Sequence, residues 1–286
     1  MGPVRQPWHA GFQLQPERLG PEPAGQGAGG KRDWCRRRCN RYSGGGVLMI
    51  NDIFKTHKRV VFFYSGGKDS LAVLMLLKNH LDKVDVVWIN PGAPFPEVVE
   101  HMKKVRDFVP RFTEVRSDVM SFINDHGHPV DVVDTRRTTF GNFAFGPTDY
   151  KVCSRFDCCG QNMWRPMAQY IVEHGVDCVI RADRGEERAK GIEHAEGVDF
   201  VFPIFDWDLE RVQAFVRNAP EGLYEPRHEL PHGSSLDCRW CTAYNSDWPC
   251  RKAYLRGKDP LLLEYLEAFR REYYGTLIKE LVEEMR

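Results

Sequence analysis

The chain is expected to be α/β: a doubly wound, mostly parallel sheet with a helical C-terminal extension. Three observations predict this. Short β-branched or aromatic runs stand at residues 59–64, 84–89 and 177–180. Dense apolar patterns of helical type follow the first two, over residues 71–81 and on to about Phe108. A glycine turn joins the first strand directly to its helix. Strands alternating with helices imply parallel neighbours, because a parallel pair needs a crossover between its members.

Composition bounds the rest. The 286 residues are 42% hydrophobic, enough for one large domain or two small ones and too apolar for a disordered or collagen-like chain. Forty Lys and Arg balance forty Asp and Glu, but the zero net charge sums unlike parts. Residues 1–48 carry eight basic and three acidic side chains, a balance of +5, which leaves −5 on the other 238 residues. Gly and Pro fill 15 of those 48 positions, so the segment is read as a disordered basic tail. A second reading starts translation at Met49, because Gly44, Gly45 and Gly46 would be encoded by a purine-rich repeat resembling a ribosome-binding site. Residues 49–255 form the expected domain and 256–286 a C-terminal helix, with an amphipathic charged pattern from Leu261 to Met285. No stretch reaches the roughly 18 continuous apolar residues of a membrane span, and no signal-peptide core opens the chain. A soluble, cytoplasmic protein without membrane contact is expected. In a reducing compartment nine cysteines point to metal or redox chemistry before disulfides.

The first glycine turn reads Ser65-Gly66-Gly67-Lys68-Asp69-Ser70. A glycine pair turns tightly and brings backbone N–H groups onto a phosphate, the following helix adds its positive end, and Lys68 adds a full charge. The spacing is not that of the Walker loop, which excludes a kinase or GTPase of that type. The motif resembles the PP-loop of the adenine nucleotide alpha-hydrolase-like superfamily. The next strand end, Asn90-Pro91-Gly92-Ala93-Pro94-Phe95-Pro96-Glu97, narrows the resemblance to the phosphoadenosine/adenosine phosphosulfate reductase family, which has a DTG…FPET-like segment there. That resemblance implies that Ser65 to Ser70 hold the phosphate of an adenosine nucleotide, with Asn90 and Gly92 beside the adenine. Asn90 replaces the family's Asp, so a carboxylate role there is lost.

Cys158 and Cys159 are adjacent, Cys238 and Cys241 form C-x-x-C, and 78 residues separate the pairs. Four thiolates suit zinc or an iron–sulfur cluster. Vicinal cysteines seldom reach one zinc ion without strain, whereas a cubane offers separate iron corners. The arrangement resembles the 4Fe-4S motif of the adenosine phosphosulfate reductase type, with Pro166 eight positions after Cys158 and residues 235–242 similar to the family's SIGC-x-PCT. Zinc and unligated buried thiols stay open as alternatives. Cys153 and Cys250 rival these four as ligands, Cys178 is read as a core residue, and Met163 stands where the family has a Lys. Cys35 and Cys39 lie in the tail among arginines without a second pair nearby, and are read as incidental.

Farther on, Arg181-Ala182-Asp183-Arg184-Gly185-Glu186-Glu187-Arg188 resembles the family's arginine motif and nominates Arg184 for the nucleotide's phosphate or sulfate, with Arg181 and Arg188 as substitutes. A solvated charged loop is the bland alternative. Residues 202–207 followed by Leu209, Val212 and Phe215 are similar to the family's PI-x-DW strand and helix, so the resemblance spans roughly 55–255. Family members attack sulfur with a cysteine in a C-terminal ECGLH-like segment, and here no cysteine follows Cys250. No catalytic residue is assigned. The expected ligands are adenosine phosphosulfate, its 3′-phosphorylated form or ATP, with a thioredoxin-type or other electron donor. One expected activity is reduction of a phosphosulfate by a cluster-bearing enzyme of sulfur metabolism; the second is ATP-dependent adenylation and sulfur transfer on nucleic acid. A nucleotide- or cluster-sensing regulator is the non-enzymatic reading.

Overall fold

In a computed structural model the chain divides into two units, Met1–Arg38 and Cys39–Arg286. The structure describes residues 46–185, 196–229 and 238–286, all in the second unit. Of the expected disordered tail, residues 1–48, positions 1–45 with Cys35 and Cys39 lie outside the described residues, as do the motif residues Glu186 and Arg188 and residues 235–237 before Cys238. Residues 46–48, by contrast, are helical, at the start of the helix Gly46–Thr56.

Among the described residues one sheet carries five strands in the order β3-β2-β1-β6-β7, all parallel. These are β1 (Val60–Phe63), β2 (Val84–Asn90), β3 (Phe112–Arg116), β6 (Cys178–Ile180) and β7 (Asp199–Val201). A separate parallel pair joins β4 (His128–Val130) to β5 (Val152–Ser154). The helices are α1 (Gly46–Thr56), α2 (Lys68–Leu76), α3 (Pro96–Phe108), α4 (Val119–His126), α5 (Thr139–Phe145), α6 (Arg155–Cys159), α7 (Arg165–Glu173), α8 (Leu209–Val216), α9 (Trp248–Lys258) and α10 (Pro260–Glu284).

Side-chain alternation along the central strands builds a core on each face of the sheet. Val60, Phe62, Val84, Val86, Cys178 and Ile180 pack on one face with Leu71 and Leu74 of α2, Met102 of α3 and Val212 of α8. Val61, Val87, Ile89 and Val179 point the other way, onto Tyr170 and Ile171 of α7. This is the doubly wound arrangement expected. The C-terminal helices α9 and α10 add Leu255, Leu262, Leu263 and Leu266 to the first core.

The departures from sequence reading have local causes. The first expected helix, over residues 71–81, is displaced to Lys68–Leu76. It starts earlier because Gly67 takes the extended cap position, and beyond it the backbone tightens into a 3-10 turn over Leu81–Lys83. Residues 203–206 form a turn and not a strand: Phe205 N bonds to Phe202 O and Trp207 N to Ile204 O, while the ladder ends at Val201. Helix α1 was not assigned from sequence; its Ile50 and Ile53 are buried in the first core. No described helix is long and apolar enough to cross a membrane.

Leu74 is fully buried between α2 and the sheet. Leu74→Ala is expected to lower unfolding free energy by about 2–5 kcal/mol. Urea unfolding followed by circular dichroism checks this, and an unchanged midpoint would contradict the packing.

Candidate functional site

The nucleotide loop is shaped by its neighbours in chain and space. Tyr64 N donates to Val87 O at 2.8 Å, carrying the sheet one residue past β1 before the chain turns. Gly66 then takes φ +77°, a left-handed value that a side chain would strain, and an added Cβ would lie 2.9 Å from Met102 Cε. Gly67 caps α2 and has no side chain to bond the helix's first-turn amides. Ser65 Oγ bonds Ser70 Oγ at 3.2 Å, and Ser70 Oγ donates to Gly67 O at 2.8 Å, closing the loop on itself.

Buried charge gathers behind that turn. Asp69 accepts from Arg184 Nε at 2.9 Å and stands 3.6 Å from Lys68 Nζ, so two buried cations share this carboxylate. Arg184 is thus joined to the loop through Asp69. Asn90 is placed differently: its amide nitrogen donates to Glu114 at 2.6 Å and its oxygen accepts from Gly92 N at 2.9 Å. Its side chain thus stabilises the β2 end and the turn at Gly92, whose φ is +93°.

A cleft of about 350 Å³ opens beside the loop. Ser65, Gly67, Asp69 and Ser70 line it from the loop, and Cys158, Cys159, Cys238 and Cys241 all line it as well. The two cysteine pairs, 78 residues apart in sequence, meet at the carboxyl edge of the sheet beside the loop. Burial pushes up the thiols of Cys158, Cys238 and Cys241, and neighbouring sulfurs raise the first two further. Among the described residues no group of three or more His, Cys, Asp or Glu closes to metal-holding geometry. The donor set itself, four soft sulfurs lining one cleft, suits a thiolate-ligated group.

Each pair is held by a partner that the sequence reading missed. The chain after Cys159 continues as a π-turn over Gly160–Trp164, which turns Asn162 back so that its amide donates to Cys158 O at 3.0 Å and reaches Cys158 Sγ at 3.9 Å. The four-residue spacing of Cys158 and Asn162 was the available signal. Arg251 of α9 donates to Cys238 O at 2.8 Å and Arg239 O at 2.7 Å, while Arg239 N bonds Ala93 O at 2.8 Å. Tyr244 has φ +62° and sets its hydroxyl 3.9 Å from Cys159 Sγ, with the Arg155 guanidinium 4.8 Å over its ring. No sequence spacing announces these long-range pairs.

The rival cysteines lie elsewhere. Cys153 is buried beside Cys158, its thiol donates to Gly127 O at 3.3 Å, and burial pushes it up to about 12. Cys250 sits on α9, and neither residue is among those lining the cleft. Cys178 is fully buried in β6, as expected of a core residue. Met163 and Arg181 do line the cleft, the latter paired with Asp183 at 2.8 Å.

Residues 59–225 match the family model of the phosphoadenosine phosphosulfate reductase domain. The chain belongs to that family, a nucleotide-binding PP-loop group. No curated protein matches the chain significantly. Solved structures with some likeness include phosphoadenylyl-sulfate reductase from Candida auris in a phosphate complex, 16% identical with a TM-score of 0.46, covering 65% of this chain and 83% of that one. Another is the U34-tRNA thiolase NcsA from Methanococcus maripaludis with its 4Fe-4S cluster, 13% identical with a TM-score of 0.40 over 84% and 78% of the two chains. A third is the NH3-dependent NAD synthetase from Campylobacter jejuni subsp. jejuni NCTC 11168 in complex with nitrate, 14% identical with a TM-score of 0.40 over 83% and 91%. The three carry out different chemistries, so the likeness does not choose among reactions.

Arg251→Met keeps the apolar stem and removes the donors to two loop carbonyls, each worth about 1–3 kcal/mol when left unpaired. Amide hydrogen exchange in residues 238–242 is expected to accelerate by about tenfold or more, with β1 amides unchanged. Equal exchange in the two proteins would show that Arg251 does not hold the loop.

Proposed function

We propose that the chain is an enzyme of sulfur metabolism that binds an adenosine nucleotide on the Ser65 to Ser70 loop and holds a 4Fe-4S cluster on Cys158, Cys159, Cys238 and Cys241. One observation carries the reading: the loop and both cysteine pairs line the same cleft. The ligand expected from family membership is adenosine phosphosulfate or its 3′-phosphorylated form. The first-turn amides of α2 bind the phosphate, with Lys68 and the positive end of that helix favouring an anion there. Phe63, Val87 and Ile89 give the cleft an apolar wall suited to a purine. When bound on these four thiolates, the cluster would supply a redox-active group in the cleft.

Reduction would cleave the sulfur–oxygen bond of the phosphosulfate, adding two electrons and releasing sulfite and the nucleotide. A thioredoxin-type dithiol supplies the electrons and leaves as a disulfide. A second reading rests on a separate observation: the described lining offers no thiol beyond the four assigned to the cluster. That favours chemistry needing no protein nucleophile, namely attack of a nucleic-acid oxygen on the α-phosphorus of ATP, release of pyrophosphate, and displacement of AMP by a sulfur nucleophile. The sulfur source is then sulfide, or a persulfide whose disulfide link to the product is cleaved by a further thiol that leaves as the donor's disulfide.

Lys68→Ala is expected to weaken nucleotide binding by about 10–100-fold with the fold intact, read by calorimetry against ATP and both phosphosulfates. Unchanged affinity would remove the shared premise. Sulfite formed from a phosphosulfate supports reduction; pyrophosphate formed from ATP only when nucleic acid is present supports the transferase. Protein purified without oxygen should carry iron and sulfide, and a colourless product with stoichiometric zinc would overturn the cluster.

A further inference from the structure

A buried polar cluster packs against the loop on the side of Gly66, and His101, Glu225, Arg227 and His228 in it are not among the cleft-lining residues. Its centre is the Glu225 carboxylate, which accepts from Arg227 Nε at 2.7 Å and Lys104 Nζ at 2.9 Å and faces His101 Nδ1 at 3.5 Å. Burial opposes the charge, but these partners hold the carboxyl well below the usual range. His101 Nε2 lies 2.6 Å from the Tyr64 hydroxyl, on the residue where β1 gives way to the loop. The last member is His228, 2% exposed, whose ring stands 5.4 Å from that of His101.

The partners of His228 fix its proton. Glu225 N–H donates to Nδ1 at 3.0 Å, so Nδ1 carries a lone pair. The ring proton is then on Nε2, which stands 3.2 Å from the Gly66 carbonyl, a group that can only accept. In a trans peptide the carbonyl and the next N–H point in opposite directions. Gripping Gly66 O from the cluster therefore turns the Gly67 N–H away from the cluster. Gly67 is a cleft-lining residue and the cap of α2.

We infer that His228 is the positioning residue of the nucleotide loop, holding the Gly66–Gly67 peptide with its N–H presented to the ligand's phosphate. The inference rests on the proposed nucleotide reading of the loop. The surroundings bear on pH as well as geometry. His101 from α3 and Tyr224, Glu225 and Arg227 from its own segment face the ring. Tyr64 just past β1 and Lys104 of α3 reach it only through His101 and Glu225, and Tyr254 of α9 feels the same Glu225 and Arg227 charges. Burial first, and then the Arg227 charge, lower His228 to about 4. The neutral form is thus bound into the fold. Its contribution is complete above the ordinary imidazole value near 6.5 and is lost as pH falls through about 4.

His228→Asn keeps an acceptor for Glu225 N and cannot reach Gly66 O, whereas His228→Gln keeps a donor toward Gly66 O. With ATP and both phosphosulfates as probes, the Asn variant should lose about tenfold in affinity and the Gln variant less than about threefold, although both melt lower than wild type. Amide exchange in residues 65–70 of the ligand-free Asn variant should accelerate. Wild-type affinity in the Asn variant, or equal losses in both that track stability alone, would overturn the inference. Should the variants fail to fold, nitrogen NMR of the wild-type ring decides: an Nε2–H tautomer supports the inference, and an Nδ1–H tautomer contradicts it. Failure of wild type to bind any of the three nucleotides removes the nucleotide reading, whereas unchanged loop exchange in the Asn variant removes only the role of His228.

Discussion

Parallel pairing of β1 on both of its edges is the constraint from which the site follows. Val60 to Phe63 pair with Val84 to Val87 on one side, and Val60 to Phe62 pair with Cys178 to Ile180 on the other. All three strands therefore end on the same edge of the sheet. The chain moves from β1 outward to β2 and β3, then returns to the other side of β1 for β6 and β7. At that reversal the outgoing connections leave in different directions and open a crevice. The turn after β1 and the Arg181 segment after β6 both reach that crevice, and the cysteine pairs complete its wall.

Charge then decides what the crevice accepts. Buried ions are costly unless paired, and each cation behind the loop is tied to a carboxylate: Arg184 and Lys68 to Asp69, Arg181 to Asp183, Arg227 to Glu225. Asp69 ties two of these cations together beside amides that themselves favour an anion. The cysteine wall has the opposite character. Burial pushes up the thiols of Cys158, Cys238 and Cys241, so ionising them together calls for a cationic group among them.

What the sequence made legible was what depends on neighbours in the chain. The run at 59–64, SGGKDS and the apolar helix after it form one local unit, and period-two and helical patterns identify such units directly. The cysteine pairs were legible by residue type, and their meeting in one cleft followed only from resemblance until the fold placed them. For Asn90 the resemblance spoke only of strand-end backbone beside the adenine; that its side-chain amide is committed to Glu114 and Gly92 came from the fold. His228, Arg251 and Tyr244 left no trace because their partners Gly66, Cys238 and Cys159 lie 162, 13 and 85 residues away. No periodicity connects such pairs; only the closed sheet and the returning C-terminal helices do.

The central claim is that one cleft serves both the nucleotide loop and the four cysteines. Alkylation rates of individual cysteines in the metal-free protein, read by mass spectrometry with and without saturating nucleotide, test it directly. The account predicts that bound nucleotide slows modification of Cys158, Cys159, Cys238 and Cys241 several-fold and leaves Cys250 on α9 unchanged. Nucleotide that binds yet protects none of the four would place it outside the shared cleft and contradict the account.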